Sequence, residues 1–188
     1  MKTARVAIFL VVALVQLSAP GSIIWKREQT LRHGRVWKFK TAPVDPLDAI
    51  RGRYIALRFA AEAVPSPEPP GPERIPGGAI VYVALKEDAD GFARVDRISV
   101  APLKGDDVVK AENGYWRDQA DHVSFPFNKL WVSEQNAVAA DKAYAENSRR
   151  GNENAYVTVR VRDGDAALEQ LYIDNQPLGD YLRVHQPK

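Results

Sequence analysis

Hydrophobic and polar positions divide this chain into one uncharged N-terminal run and a longer part in which apolar residues mostly alternate. Residues 6–25, VAIFLVVALVQLSAPGSIIW, carry no charge. As a helix they extend about 30 Å, the thickness of a bilayer's hydrocarbon core. Lys2 and Arg5 precede the run, while Lys26, Arg27, Arg32 and Arg35 follow it. The same layout fits a cleaved signal peptide with an apolar core at 6–17 and a small-residue site at Ala19-Pro20-Gly21. Pro20 suits a peptidase poorly, and Ile23, Ile24 and Trp25 prolong the apolar stretch to an interfacial aromatic. A retained anchor is therefore expected. The cations after the span do not favour export by the positive-inside rule. A periplasmic domain on the cytoplasmic (inner) membrane is expected all the same, because short N-terminal segments of this build usually behave as signal sequences.

Period-two alternation governs much of the chain beyond the anchor. Residues 36–40 form a short strand. At 54–59, Ile55, Leu57 and Phe59 fall on one face and Tyr54, Ala56 and Arg58 on the other. Gly52 precedes them and can take the backbone angles of a launching turn. Residues 64–78 hold six prolines and three glycines, a composition that reads as an exposed loop unable to join a ladder. Residues 79–85 are strongly β-forming. After a turn at 88–91, the stretch 92–100 mixes polar and apolar residues on both faces, as an edge strand does.

Only residues 133–150 read as a convincing helix in the globular part. Ser133 is placed to cap it, Glu134 meets the dipole, and Ala137, Ala140, Ala143 and Tyr144 make its apolar stripe. Arg149 and Arg150 close it, with Gly151 as a left-handed cap. Residues 154–173 predict a hairpin turning at Asp163-Gly164, and Asp174-Asn175 marks another turn. The closing GDYLRV, residues 179–184, is read as an edge strand. The expected fold is α+β: a mainly antiparallel β-sheet domain with one principal helix, preceded by an N-terminal transmembrane helix. Its parts are the anchor at 1–25, a membrane-proximal segment and first strand at 26–40, and a globular domain at 41–188 containing the Pro-rich loop 64–78.

Charge and composition narrow the functional classes. The chain holds 26 basic and 24 acidic residues, and Lys2 and Arg5 supply the excess. The domain beyond the anchor is thus balanced and has no electrostatic footprint for nucleic acid. With no cysteine, disulfides, thiolate zinc ligands and thiol catalysis are excluded. His33, His122 and His185 lack metal-binding helix spacings; His33 reads as a solvent-exposed stalk residue, and His122 beside Asp121 as a structural pair. Phosphate-cradling loops, nucleophile elbows and H-E-x-x-H motifs are missing. Ser99 with Lys104 or Lys110 imitates a Ser–Lys dyad only in residue type. No cofactor or metal is implied.

One motif stands out at 52–59: Gly-x-Tyr-x-x-Leu-x-aromatic, carried by Gly52, Tyr54, Leu57 and Phe59. It is preceded by DPLDAIRG at 45–52 and followed by FPFNKLWVSE at 125–134 and ALEQLYIDNQPL at 167–178. Together these blocks resemble the GDYXXLXY family of small bacterial membrane-anchored proteins over nearly the whole chain after the anchor. Two positions depart from the family pattern: its Asp is Arg53 here, and its final Tyr is Phe59. The resemblance implies an envelope location, a fold, and association with membrane proteins encoded nearby, without implying a reaction.

The residues themselves point to a non-enzymatic accessory or binding module. A candidate surface gathers Asp45, Asp48, Arg51, Arg53, Tyr54 and Arg58 around the motif, with Trp116 and Trp131 as aromatics that stack on sugars or grip a peptide. Core packing is the expectation for Phe125 and Phe127, and the favoured one for Tyr54, Trp116 and Trp131. The alternative is a membrane-tethered hydrolase drawing acid–base groups from Asp45, Asp48, Glu62 or His122. It requires two such groups to converge in a concave pocket.

Overall fold

The computed structural model describes residues 2–42, 54–65, 75–114, 120–149 and 154–185. The N-terminal apolar run forms α1 (Lys2–His33), a helix that contains Pro20. Its stretch 8–33 is long and apolar enough to cross a membrane, and its most apolar 18-residue window has a mean hydropathy of 2.0 with no residue buried. Pro20 has no N–H to donate; nearby, Ser18 and Ser22 hydroxyls donate to the carbonyls of Val15 and Ala19, both at 2.7 Å. The helix does not stop where the apolar run does. It continues past Trp25 to His33, whose side chain is exposed.

Gly34 leads directly into β1 (Arg35–Lys40), the edge of an antiparallel sheet ordered β1, β9 (Ala155–Arg162), β10 (Asp165–Ile173), β11 (Gln176–Pro177). The β9–β10 hairpin turns where expected, with Asp163 at φ 50° and Gly164 at φ 89°. Both positive values belong to the primed turn that matches strand twist. Asp174 and Asn175 repeat the device at φ 49° and 61° before β11.

A second sheet is ordered β3 (Ala63–Pro65), β7 (Ala120–Ser124), β6 (Val108–Asn113), β4 (Ile80–Glu87), β5 (Ala93–Ser99). The turn between β4 and β5 is held by Asp88, whose carboxylate accepts from the N–H groups of Asp90 and Phe92. β5 lies at the edge, as its mixed pattern predicts. The two sheets touch through a parallel bridge of Val109 with Gly164, where Lys110 N–H donates to Gly164 O at 2.9 Å. A third element, the ribbon β2 (Tyr54–Ala56) with β8 (Lys129–Trp131), carries the motif. Valines from the inner faces meet the four rings of Phe39, Phe59, Phe125 and Phe127 in one core. Phe125 and Phe127 are buried, as anticipated.

Helix α2 (Glu134–Asn147) buries Ala140, Ala143, Tyr144 and Asn147 and ends before Arg149. Ser133 occupies the cap position without a side-chain capping bond. Two expectations need correction. Val64 and Pro65, placed in the exposed Pro-rich loop, pair with Asp121 and Ala120 as part of β3. A proline is tolerated there because β3 is an edge strand with one unpaired side. GDYLRV is not a strand but most of α3 (Leu178–His185). Leu178 and Leu182, four apart, are both buried on one face, and Arg183 pairs with Asp180 one turn back. Period 3.6, not period two, governs this stretch.

Candidate functional site

The motif splits cleanly between an inner and an outer face. Ile55, Leu57 and Phe59 are all buried, while Tyr54 and Ala56 are half-buried and Arg58 is exposed. This is the alternation read from the residues. The three-residue pairing with β8 sets Tyr54 opposite Trp131, Ile55 opposite Leu130 and Ala56 opposite Lys129. Beyond the ladder, Leu57 N–H donates to Asn128 O and Ala42 N–H to Arg58 O, both at 2.8 Å. Thr41 bridges Phe59. The segment is thereby sewn between the end of β1 and the ribbon.

On the outer face, the Tyr54 and Trp131 rings lie 5.3 Å apart at 59°. The Lys129 ammonium sits 5.3 Å from the Tyr54 ring centroid, within the reach of a cation–π contact. Trp131 is 69 % exposed, which corrects the expectation that it packs. Its parity is the reason: Leu130 takes the core side of this short ribbon, so Lys129 and Trp131 are turned to solvent. Tyr54 is half-buried. Asp45, Asp48, Arg51, Gly52, Arg53 and Trp116 lie outside the described residues.

Among the described residues, Glu62 and His122 do not share a cleft. Glu62 closes a single 3-10 turn at Ala60–Glu62, just after Phe59. Burial pushes its carboxyl up to about 7, against the opposing pull of the Phe59 backbone and the Arg58 charge. Tyr144 on α2 is buried, and its hydroxyl makes no hydrogen bond among the described residues. Burial above all, then the charge of Glu62, raises the pKa of this phenol against the lowering pull of the Arg58 backbone and the Thr41 hydroxyl beside it. The Thr41 hydroxyl is committed to Ala155 O at 2.8 Å.

Two shallow clefts flank these residues. One, of about 280 Å³, is lined by Lys40, Ala61, Ala63, Phe92 and Arg94 among others; the second, about 360 Å³, by Ile80, Lys110, Glu112, Ser124 and Asn128 among others. Neither is lined by Glu62 or His122. His122 is half-buried opposite Ala63. Ser99 donates to Ala101 O at 2.9 Å, and Ser99 and Lys110 flank Tyr82 from opposite sides of β4. Two strand spacings, about 10 Å, separate them, too far for a dyad. No group of three or more His, Asp or Glu suited to a metal occurs among the described residues.

Sequence reasoning missed Lys129, whose role depends on its neighbour across the ribbon, and Tyr144, read only as part of a helical stripe. Alternation along 129–131 carried the first signal in principle, since Lys129 and Trp131 share parity.

No curated protein and no solved structure matches this chain. The family model described as GDYXXLXY protein matches residues 16–171. That stretch begins inside α1 and ends within β10, so it takes in the motif, the ribbon, the five-stranded sheet, α2, and the four-stranded sheet apart from the end of β10 and β11. With most of its length matched and Tyr54, Leu57 and Phe59 lying along one alternating segment with a buried and an open face, the chain belongs to the GDYXXLXY family.

Proposed function

We propose that this protein is a membrane-anchored, non-enzymatic binding module whose contact surface is the outer face of the β2–β8 ribbon. The observation that carries the reading is Trp131, 69 % exposed beside the motif's Tyr54. A large aromatic left in solvent forgoes about 2–3 kcal/mol of burial. Trp and Tyr are the residues most enriched at binding hot spots. Lys129 adds a cation at the rim. The partner in this reading is a protein of the same membrane, with α1 in the inner membrane and the domain in the periplasm.

Affinity capture from detergent-solubilised membranes tests it. A partner is expected to copurify stoichiometrically with the natural chain and to be lost with Trp131→Ala while the fold, followed by circular dichroism, is unchanged. A lone monomer in both preparations overturns the reading. A second reading, a tethered hydrolase, draws on the Glu62 carboxyl lying near 7, the range of a working general acid or base. Its absence from the lining of either cleft ranks it below the first.

A further inference from the structure

The last turns of α1 are built into the globular part. Thr30 is 3 % exposed, with its hydroxyl donating to Lys26 O at 3.1 Å. Lys26 Nζ lies 2.7 Å from Asp165 Oδ2. Arg162 donates to the Gln29 side chain at 3.4 Å, and Arg160 to Gly34 O at 3.3 Å. These partners all belong to the tip of the β9–β10 hairpin or the strand ends beside it. Gly34 alone separates helix from β1, and its N–H donates to Thr30 O at 2.9 Å. Helix and sheet are joined without a flexible linker.

Length then sets depth. The uncharged run ends at Trp25, which is 65 % exposed and of the type that sits at the hydrocarbon boundary. At about 1.5 Å per residue, Lys26 stands ~1.5 Å and Thr30 ~7.5 Å beyond it along an upright helix, and less if it tilts. The headgroup layer on each side is about 5–7 Å thick. A hairpin tip clamped to Lys26 at one height and packed on Thr30 at the other therefore lies at headgroup depth.

We propose that the β9–β10 hairpin tip, Arg162 to Asp165, forms with Lys26 and Arg27 a surface that rests in the phospholipid headgroup layer, so that helix and domain orient on the bilayer as one body. The proposal rests on reading α1 as a retained membrane anchor. Its chemistry suits the occupant: Arg162 and the 72 % exposed Asp163 carboxylate pair at 3.8 Å, a match for the paired charges of a zwitterionic headgroup, and Arg27 is an exposed cation beside them for phosphate. The opposite end of β9 is far from this layer. Asn154 N–H donates to Asn147 O at the end of α2, and the length of β9, about 25 Å, lies between.

The chain has no cysteine, so single cysteines report without interference. Asp163→Cys at the tip and Lys142→Cys on α2 are each labelled with an environment-sensitive fluorophore. The full chain is then placed in nanodiscs of phosphatidylethanolamine and phosphatidylglycerol. Lipid carrying a headgroup nitroxide is expected to quench the tip label severalfold more than the α2 label, and aqueous iodide to do the reverse. Arg162→Cys gives a second reading if Cys at 163 disturbs the turn. Equal quenching at tip and helix overturns the proposal while leaving the binding surface at Trp131 untouched. Release of the chain from membranes by alkaline carbonate overturns the anchor and this proposal together.

Discussion

Phe39 of β1 and Phe59 of the motif meet edge to face, their ring centroids 5.6 Å apart at 61°. Phe125 and Phe127 complete the cluster, each within 5.3 Å of Phe39 by centroid. The last aromatic of the motif is thus a keystone between the strand that follows α1 and the segment of the ribbon. A phenyl ring serves here as well as the family's tyrosine, for Phe59 is 2 % exposed and a hydroxyl at its end would need a buried partner.

Two motif substitutions should differ sharply. Phe59→Ala removes a buried ring and its edge contacts and should destabilise by about 3–5 kcal/mol. Tyr54→Ala removes a half-buried ring on the outer face, beside Trp131 and Lys129, and should cost about 1 kcal/mol or less. Denaturant titration of the full chain in micelles measures both. Equal losses at the two positions would show Tyr54 to be a core residue after all.

How much of the fold is legible in the residues depends on the range of the interactions. The alternation of Ile55, Leu57 and Phe59 against Tyr54, Ala56 and Arg58 is local, as are the turns at Asp163-Gly164 and Asp174-Asn175, and all are legible. α3 is not, because a two-turn helix shows only Leu178 and Leu182 as a pair, while Tyr181 and Val184 argue locally for a strand. Trp131 reads wrongly as packed because its exposure depends on which residue β2 sets opposite it. The shifted carboxyl of Glu62 arises from burial by distant elements, which no spacing in the chain announces.

Glu62 should make stability fall with pH. Its ordinary value is 4.5 and burial raises it to about 7 in the folded chain, so the folded state favours the protonated form. The contribution is fully present below about pH 4.5 and is lost as pH rises through about 7, amounting to at most about 3 kcal/mol. Melting temperature followed from pH 5 to pH 8 should decline, and Glu62→Gln should flatten that decline. An unchanged slope in the variant would assign the effect elsewhere.

Tyr144→Phe should be neutral or stabilising by about 1 kcal/mol, contrary to the usual effect of altering a buried residue. The ring stays, and a buried hydroxyl without a hydrogen bond among the described residues is removed, relieving a desolvation penalty. The variant should also lower the pH at which Glu62 deprotonates little or not at all, since the phenol is neutral throughout that range. Thermal melts at pH 5 decide the first point, where Glu62 is protonated and cannot confuse the comparison. A loss above about 1 kcal/mol would mean the hydroxyl is bonded in solution.

Gly34→Ala tests how the helix is joined to the domain. A β-carbon at Gly34 would stand 2.5 Å from Thr30 O and 3.0 Å from Val161 O. Both obstacles are backbone, one in the last turn of α1 and the other in β9, so neither yields as a side-chain tip would. Accommodation must move helix against hairpin, stretching the Gly34 N–H bond to Thr30 and unseating Thr30 from its buried place. The expected outcome is a loss of about 2 kcal/mol or more, together with faster proteolysis between residues 26 and 35 while the β-sheet core stays protected. The same proteolysis pattern in the natural chain and the variant would show that the joint is already loose, and the close approach at Gly34 would then have no consequence for how the domain is held.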